Sequence, residues 1–121
     1  KSIDVFFVTL NKADKDYSPT TMYNDYSISE SLFHWQSQST TAENSPTGQR
    51  YIHHKERGSK VLLFVREFKS DRVTGGAEAY TYLGTASYVK HEGSRPMNIT
   101  WRLDRPIPAK FLKKTNKLVV G

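Results

Sequence analysis

Apolar residues in this chain recur in short runs with a period of two, which is the spacing typical of β-strands. Residues 60–68, KVLLFVREF, form the clearest run, and residues 3–10 are apolar on both faces, which favours a central strand. Residues 32–37 alternate strictly and predict a strand with two distinct faces. One face carries Phe33, Trp35 and Ser37, and the other carries Leu32, His34 and Gln36.

Three more strands follow from the same pattern: AYTYLG at 79–84, TASYVKHE at 85–92 and MNITWRL at 97–103. Two short helices are also expected. Thr47 is predicted to cap a helix over 48–57, and Pro108 to begin a helix over 108–118. About six strands with two helices predict an α+β fold, a small curved, mostly antiparallel sheet or barrel with the helices outside it.

The chain has 121 residues and no cysteine, which fits one domain without disulfides. Polar stretches at 11–29 and 70–78 predict loops, and no internal repeat divides the chain. Lys1 leads within two positions into an apolar strand without a signal peptide, so we expect residues 1–121 to be a single module of a longer multidomain protein. No apolar run is long enough to cross a membrane, and a cytoplasmic location is expected.

Positive charge is concentrated in the second part of the chain. Residues 1–49 contain 3 Lys/Arg and 6 Asp/Glu, a net charge of −3, whereas residues 50–121 contain 15 and 6, a net charge of +9. Such a basic region attracts polyanions through counterion release, which makes nucleic acid the first partner to consider, although a solvated surface would give the same composition. A membrane partner is not expected, because no segment combines a basic face with a large apolar one.

Motifs for catalysis and metal binding are weak. His53 and His54 are adjacent, so on a helix they point about 100° apart and cannot ligate one ion together. No nucleophile elbow or Gly-rich phosphate loop is present, and we expect no catalytic residue, no metal and no cofactor. Glu67 and Lys69 form an acid-x-lysine pair without a clear acidic partner, which keeps a divalent-metal nuclease as an alternative.

Aromatic and amide side chains predict a site for a base. Trp35 lies in HWQSQS, where amides and hydroxyls offer both donors and acceptors to the edge of an extruded base. Trp35 is expected to point inward and Gln36 toward a cleft or solvent, or the reverse; each aromatic ring could equally belong to an ordinary barrel wall. The predicted base pocket consists of His34, Trp35, Gln36, Ser37, Gln38, Tyr51 and Tyr82, and the predicted phosphate contacts are Arg50, Lys55, Arg66, Arg95 and Arg102.

Four segments resemble a bacterial domain of unknown function: HWQSQS, SPTGQRYIHH, LLFVRE and YLGTASYVKHEGSRPMNITWRL. That domain is found near the C-terminus of large proteins that join a phospholipase D-like nuclease to a superfamily II helicase. The resemblance extends from Phe6 to Pro108 and implies a restriction or defence protein that acts on foreign DNA. YTYLGTASYV is also similar to patterns in pseudouridine-synthase-like (PUA-like) barrels, among them the SRA and EVE domains that accept a modified base flipped out of DNA.

These observations lead to one principal hypothesis. The domain is expected to be a non-catalytic DNA-binding specificity module, whose partners are DNA, with duplex as the expected form, and the helicase and nuclease domains of the same chain. Arg95, in the turn from Gly93 to Pro96, is expected to act as a wedge or phosphate clamp. Alternatively, the same residues form the interface of an interaction or regulatory domain that docks on the helicase.

Overall fold

The structure, a computed structural model, describes residues 2–11, 25–69 and 75–112. This part of the chain contains six strands and one longer helix: β1 Ile3–Asn11, β2 Tyr26–Ser27, β3 Leu32–Gln36, α1 Pro46–Ile52, β4 Lys60–Phe68, β5 Thr81–Glu92 and β6 Asn98–Leu103. A further helical turn spans 109–112.

The six strands form one mixed sheet in the order β1-β4-β5-β6-β3-β2. β1 and β4 run parallel, and every other neighbouring pair is antiparallel. The sheet curls into a half-barrel whose concave face holds the hydrophobic core. The predicted α+β class, with a curved and mostly antiparallel sheet, is therefore confirmed.

Ring contacts across the concave face reveal the curl. Phe6 on β1 and Trp35 on β3 are separated by three strands in the sheet, yet their rings stack with centroids 4.0 Å apart. In a flat sheet, strands four steps apart would be about 19 Å from each other. Trp101 on the intervening β6 also contacts Phe6, with ring centroids 5.5 Å apart. The sheet therefore bends until its β1 and β3 sides face each other.

β5 contributes to this curvature through two irregularities in its pairing. Its register against β4 shifts beside Leu63, opposite Gly84, and its register against β6 shifts after Tyr88. Such bulges bend a strand and increase its twist. The sequence predicts two separate strands at 79–84 and 85–92, but they form one strand, because the φ of +104° at Gly84 bends the chain without ending the pairing.

Both helical segments pack on the concave side of the sheet. Tyr51 and Ile52 of α1 pack against the core cluster, and Ile107 and Phe111 belong to it. The expectation that the helices lie outside the sheet is therefore wrong. A half-barrel leaves the apolar concave face open, and the helical segments cover it.

Two further predictions about single elements need correction. β1 is an edge strand rather than a central one, since only β4 pairs with it among the described residues. α1 begins after Ser45 rather than after Thr47, because Ser45 Oγ accepts a hydrogen bond from the Gly48 N–H at 3.0 Å. The helix ends at Ile52, several residues before the predicted end.

Some predicted elements lie wholly or partly outside the described residues. They are residues 12–24 of the predicted loop at 11–29, residues 70–74 of the predicted turn at 70–78, and residues 113–118 of the predicted terminal helix. The described end of the first loop contains β2, a strand that the sequence pattern does not predict.

Gly48→Ala is expected to destabilise the protein by about 1–3 kcal/mol, although alanine usually stabilises a helix relative to glycine. A Cβ at this buried position would clash with the Ala42 carbonyl oxygen and lie 3.0 Å from Met97 Sδ. Urea unfolding of Gly48→Ala, with Thr47→Ala as the neighbouring control, measures the effect. A stability equal to or above that of the wild type would contradict this packing.

Candidate functional site

A cleft of about 440 Å³ opens at the mouth of the half-barrel, between the edge of β1 and the segment that leads from β3 into α1. Residues 4–7 of β1 form one wall. The other lining residues are Trp35, Gln38, Thr40, Thr41, Ser45, Thr47 and Tyr51. This volume lies within the range of about 300–1,000 Å³ that is common for small-molecule sites.

Aromatic rings form the inner end of the cleft. Trp35 stacks on Phe6 with the ring planes within 6° of parallel, and Tyr51 meets both rings edge-on at centroid distances of 5.5 Å. Burial raises the pKa of the Tyr51 phenol, and the charge of Asp4 raises it further, while Arg50 acts in the opposite direction. The phenol therefore keeps its proton at neutral pH and is available as a hydrogen-bond donor or acceptor.

Backbone hydrogen bonds fix the loop that forms the outer wall. The Arg95 N–H donates to the Thr41 carbonyl at 2.9 Å, and the Glu43 N–H donates to Ser94 Oγ at 3.0 Å. Ser45 Oγ, which caps α1, also donates to the Ala42 carbonyl at 2.6 Å. The loop is thus held to the β5–β6 turn on one side and to α1 on the other, so the cleft is preformed.

A chain of three side chains adds to this anchoring. His91 Nε2 donates to Glu43 Oε1 at 2.7 Å, because a carboxylate oxygen accepts, and the Tyr88 hydroxyl bonds His91 Nδ1 at 2.6 Å. Burial raises the pKa of Tyr88, with a smaller contribution from the charge of Glu43. Through Tyr88, His91 and Glu43, the side chains of β5 therefore hold the loop in place.

The outer edge of β1 gives the cleft a wall of backbone groups. β1 pairs with β4 on one side, and no described strand pairs with it on the other. Residues 4–7 of this edge border the cleft. Along the edge of a strand, peptide N–H donors and C=O acceptors alternate, so this wall can offer both. The cleft therefore combines aromatic rings at its inner end with backbone and side-chain hydrogen-bonding groups along its walls.

Arg50 and Asp4 form a two-pronged ion pair beside the cleft. Arg50 Nε and Nη2 each donate to one Asp4 carboxylate oxygen at 2.9 Å, and this hydrogen bonding raises the pKa of Arg50. The pair connects α1 to β1. Arg50 was predicted to contact phosphate, but its charge is balanced by Asp4, so its main contact is structural.

Three of the seven residues predicted for the base pocket meet in this cleft: Trp35, Gln38 and Tyr51. Their grouping follows from the chain path. Trp35 faces inward on β3, the strand ends at Gln36, and the chain then turns so that Gln38 lies on the outer wall.

The other four predicted pocket residues lie elsewhere. Ser37 is buried beside the cleft, where its Oγ accepts from the Met97 N–H at 2.8 Å and donates to the Gln38 carbonyl at 3.0 Å. His34 and Gln36 alternate with Trp35 and so lie on the convex face, where His34 stacks on Tyr26 and Gln36 donates to Asn98 Oδ1 at 3.1 Å.

Tyr82 is also on the convex face, beside Phe64 on β4 at a ring distance of 4.9 Å. A pocket that contains all seven residues is therefore incompatible with the alternation of side chains along the strands.

The five basic residues predicted to hold phosphates do not surround the cleft. Arg95 is exposed in the β5–β6 turn and is joined to the cleft wall through Thr41. Arg66 and Arg102 belong to the convex face, and exposed Lys55 follows α1. Of the five, Arg95 and the paired Arg50 are the cations adjacent to the cleft.

The hydroxyl groups of the cleft are not among the predicted site residues. Thr40, Thr41 and Thr47 line it, and the prediction gave only Thr47 a role, as the cap of a helix. The available signal was the density of hydroxyl residues in STTAENSPT. Nothing in the sequence indicates that β1 borders the cleft, since its two apolar faces predict a central strand.

His54 was considered as a metal ligand, but both of its ring nitrogens are occupied. Nδ1 donates to the Ser59 carbonyl at 3.1 Å, and Nε2 accepts from the Tyr88 N–H at 3.1 Å. These bonds connect the segment after α1 to β5. The described residues contain no group of three or more His, Asp or Glu side chains placed to hold a metal ion.

Glu67 and Lys69, the basis of the nuclease alternative, lie at the end of β4. The Glu78 carboxylate accepts hydrogen bonds from the backbone N–H groups of Glu67 at 3.0 Å and Phe68 at 3.3 Å. Glu78 therefore stabilises the end of the strand. No helix within the described ranges is long and apolar enough to cross a membrane.

Stability is expected to fall as the pH rises above about 10, because the pKa values of Tyr51 and Tyr88 are raised in the folded state. A group with a raised folded pKa contributes its full stability below the unfolded pKa and loses it as the pH rises through the folded pKa. Urea unfolding at increasing pH should show this decline, and Tyr51→Phe should make it shallower. A decline of equal slope in wild type and Tyr51→Phe would exclude Tyr51 as a cause.

The sequence of the chain matches a known protein family. A family model described as "Domain of unknown function (DUF3427)" matches residues 2–114, which cover the sheet, α1 and the whole cleft. No curated protein matches the chain significantly. Because the match extends over nearly all of the sequence, the chain belongs to the DUF3427 family.

Proposed function

We propose that this domain binds DNA and accepts an extruded base, in plain or modified form, in the cleft between β1 and α1. The observation that carries the proposal is the combination of rings and hydrogen-bonding groups in one preformed cleft of about 440 Å³. Trp35 and Tyr51 supply apolar surface for the flat faces of a base, and Gln38 with the neighbouring threonines supplies donors and acceptors for its edge.

The charge distribution supports DNA as the ligand. Residues 50–121 carry a net charge of +9, and Arg95 is exposed next to the cleft wall. A phosphate bound by Arg95 would lie beside the mouth of the cleft. In the proposed arrangement Arg95 holds the backbone next to the extruded nucleotide, while the cleft supplies selectivity.

The proposed context is a restriction or defence protein with helicase and phospholipase D-like nuclease domains in the same chain. The curled sheet with a cleft at its mouth is compatible with a PUA-like base-reading barrel, to which YTYLGTASYV is similar. In this context the domain has no catalytic role of its own and provides the specificity for duplex DNA.

A second candidate function is docking on another protein segment. The outer edge of β1 favours it, because no strand in the described part of the chain pairs there and an extended peptide can add a strand to such an edge. Base recognition explains more of the cleft, since a strand added to β1 needs neither the rings at the inner end nor the threonines on the opposite wall.

The isolated domain is expected to bind DNA with an affinity that falls as salt increases, with a log-log slope of about −0.9 for each phosphate contact. Titration of plain and base-modified duplexes at two salt concentrations tests this. Arg95→Gln should weaken all duplexes alike and reduce the slope by about 0.9, because a phosphate contact carries little sequence information. An affinity that does not depend on salt would contradict the proposal and favour protein docking.

DNA cleavage by the domain alone, with magnesium or manganese, is not expected, because the described residues contain no group of three or more His, Asp or Glu side chains that could hold a metal ion. Incubation of a supercoiled plasmid with each ion measures it. Cleavage that is lost in Glu67→Gln would establish the nuclease alternative instead.

A further inference from the structure

A row of four aromatic rings crosses the convex face of the sheet. Phe7 of β1 lies between Tyr80 and Phe64, with centroid distances of 5.1 and 5.2 Å, and Phe64 is followed by Tyr82 at 4.9 Å. The row therefore runs over three neighbouring strands in the order Tyr80, Phe7, Phe64, Tyr82. Consecutive rings are about one ring width apart, so they form a continuous surface.

Two rings of this row are exposed to an extent that folding does not require. Phe7 is 61% exposed and Tyr82 is 41% exposed, and Val5 beside Phe7 is exposed as well. A cluster of exposed apolar side chains on one sheet face is typical of a binding surface. The concave face already supplies the core, with Phe6 and Val8 from the same strand.

An arginine covers a ring at each end of the row. The guanidinium of Arg66 lies 4.4 Å from the centre of Tyr80, and that of Arg105 lies 5.7 Å from the centre of Tyr82. Arg66 is held there by hydrogen bonds to Thr9 Oγ1 at 2.9 Å and to the Glu78 carbonyl at 3.2 Å. Both of these partners, a hydroxyl and a backbone carbonyl, are neutral groups.

We propose that this face, which we call the ring face and define by Phe7, Phe64, Tyr80, Tyr82, Arg66 and Arg105, binds single-stranded DNA. Bases stack on the exposed rings of Phe7 and Tyr82, and the phosphates pair with the arginines at the two ends. The chemistry favours a single strand over a duplex, because only unpaired bases offer their faces to the exposed rings of Phe7 and Tyr82. The arginines favour a polyanion over an apolar protein segment.

This inference goes beyond the proposed function, since the ring face is built on Phe64, Tyr80 and Tyr82, none of which lines the cleft, and Phe7 on β1 is the one residue that borders both sites. The two sites use different forms of DNA, a single strand on the convex face and one extruded base in the cleft.

The test is fluorescence polarisation of the isolated domain with an oligothymidylate of about 12 nucleotides and with an abasic oligomer of the same length. The wild type should bind the oligothymidylate at least about tenfold more tightly than the abasic oligomer, because only the former can stack. Phe7→Leu with Tyr82→Leu should remove most of this difference. Leucine retains apolar surface, so this variant should fold, and its melting temperature checks that it does.

A matched control is Ile28→Ala with Val89→Ala, which removes exposed apolar side chains away from the ring face. It should bind the oligothymidylate as the wild type does. Equal wild-type affinity for the two oligomers would overturn the proposal, as would a leucine variant that still discriminates between them. A dimer that dissociates in the leucine variant, with no loss of oligothymidylate binding, would also overturn it and identify a second copy of the chain as the occupant.

The same variants distinguish the two sites. Tyr82→Leu should leave the preference for an extruded base unchanged, whereas Gln38→Ala should leave oligothymidylate binding unchanged. Loss of both kinds of binding in Tyr82→Leu, with an unaltered melting temperature, would contradict the assignment of two independent sites.

Discussion

Trp35→Ala is expected to lower the free energy of unfolding by about 2–4 kcal/mol, a large part of the roughly 5–15 kcal/mol that stabilises a domain of this kind. The Trp35 ring stacks on Phe6 across the opening of the half-barrel, and Tyr51 packs edge-on against both. Its removal takes away the contact that joins the β1 and β3 sides of the curled sheet. A fully buried tryptophan would cost more, but Trp35 keeps part of its surface exposed to the cleft.

Urea unfolding followed by circular dichroism measures this loss. Trp35→Phe should recover much of the stability, because phenylalanine can still stack on Phe6. Gln38→Ala, which also changes the cleft, is the matched control and should unfold as the wild type does, since Gln38 is exposed. A loss below about 1 kcal/mol in Trp35→Ala would contradict the structural role of the ring.

This role affects how binding data on Trp35 can be interpreted. A weaker affinity of Trp35→Ala for DNA would combine lost stacking with a disturbed cleft, so it does not by itself identify a stacking ring. Gln38 is the better probe, because it lines the cleft and is exposed, whereas Trp35 packs against the core.

Alternation of side chains predicted much of the sheet correctly. The strands at 32–37 and 60–68 correspond closely to β3 and β4, and the inward direction of Trp35 follows from its position between Phe33 and Ser37. These elements are predictable because each has one face in the core and the other face more polar or more exposed. β5 was harder, since a glycine in the sequence indicates a turn as readily as the bulge at Gly84.

The position of β1 could not be predicted, for a physical reason that the structure makes clear. Its sequence is apolar on both faces, which usually indicates a strand buried on both sides. Here Phe6 and Val8 enter the core while Ile3, Val5 and Phe7 remain exposed. Exposed and buried apolar residues look the same in a single sequence, so the pattern alone does not show that one face of β1 is exposed.

The cleft was predicted only in part, because a site that combines distant segments depends on how the sheet curls. The alternation rule alone separates Trp35 from His34 and Gln36, and it argues against a pocket that contains all three. It cannot show that α1 brings Tyr51 next to Trp35, or that the edge of β1 completes the opposite wall. Tyr82 could not be assigned to a face either, since the bulge beside it changes the alternation.

The domain is expected to bind a duplex with one base opposite an abasic site at least about tenfold more tightly than the fully paired duplex. Extrusion of a paired and stacked base costs a few kcal/mol, and each 1.4 kcal/mol corresponds to a factor of ten in affinity. Extrusion of a base that has no pairing partner costs less free energy. A cleft that accepts an extruded base should therefore bind the duplex with the abasic site more tightly than the paired duplex. The comparison does not require knowledge of the modification that is preferred.

Variants of Gln38 and Gln36 are the controls for this measurement. Gln38→Ala should reduce the preference by about three- to tenfold, because it removes an amide that can bond the edge of the base. Gln38→Trp should abolish it by filling the cleft. Gln36→Ala should retain it in full, because Gln36 lies on the convex face and bonds Asn98.

The affinity ratio of the two duplexes, measured for the wild type, Gln38→Trp and Gln36→Ala at the same salt concentration, is the most direct test of base recognition in the cleft. If the cleft binds an extruded base, the ratio should be above about ten for the wild type and Gln36→Ala, and near one for Gln38→Trp. A wild-type ratio near one, or a ratio that Gln38→Trp leaves unchanged, would contradict it.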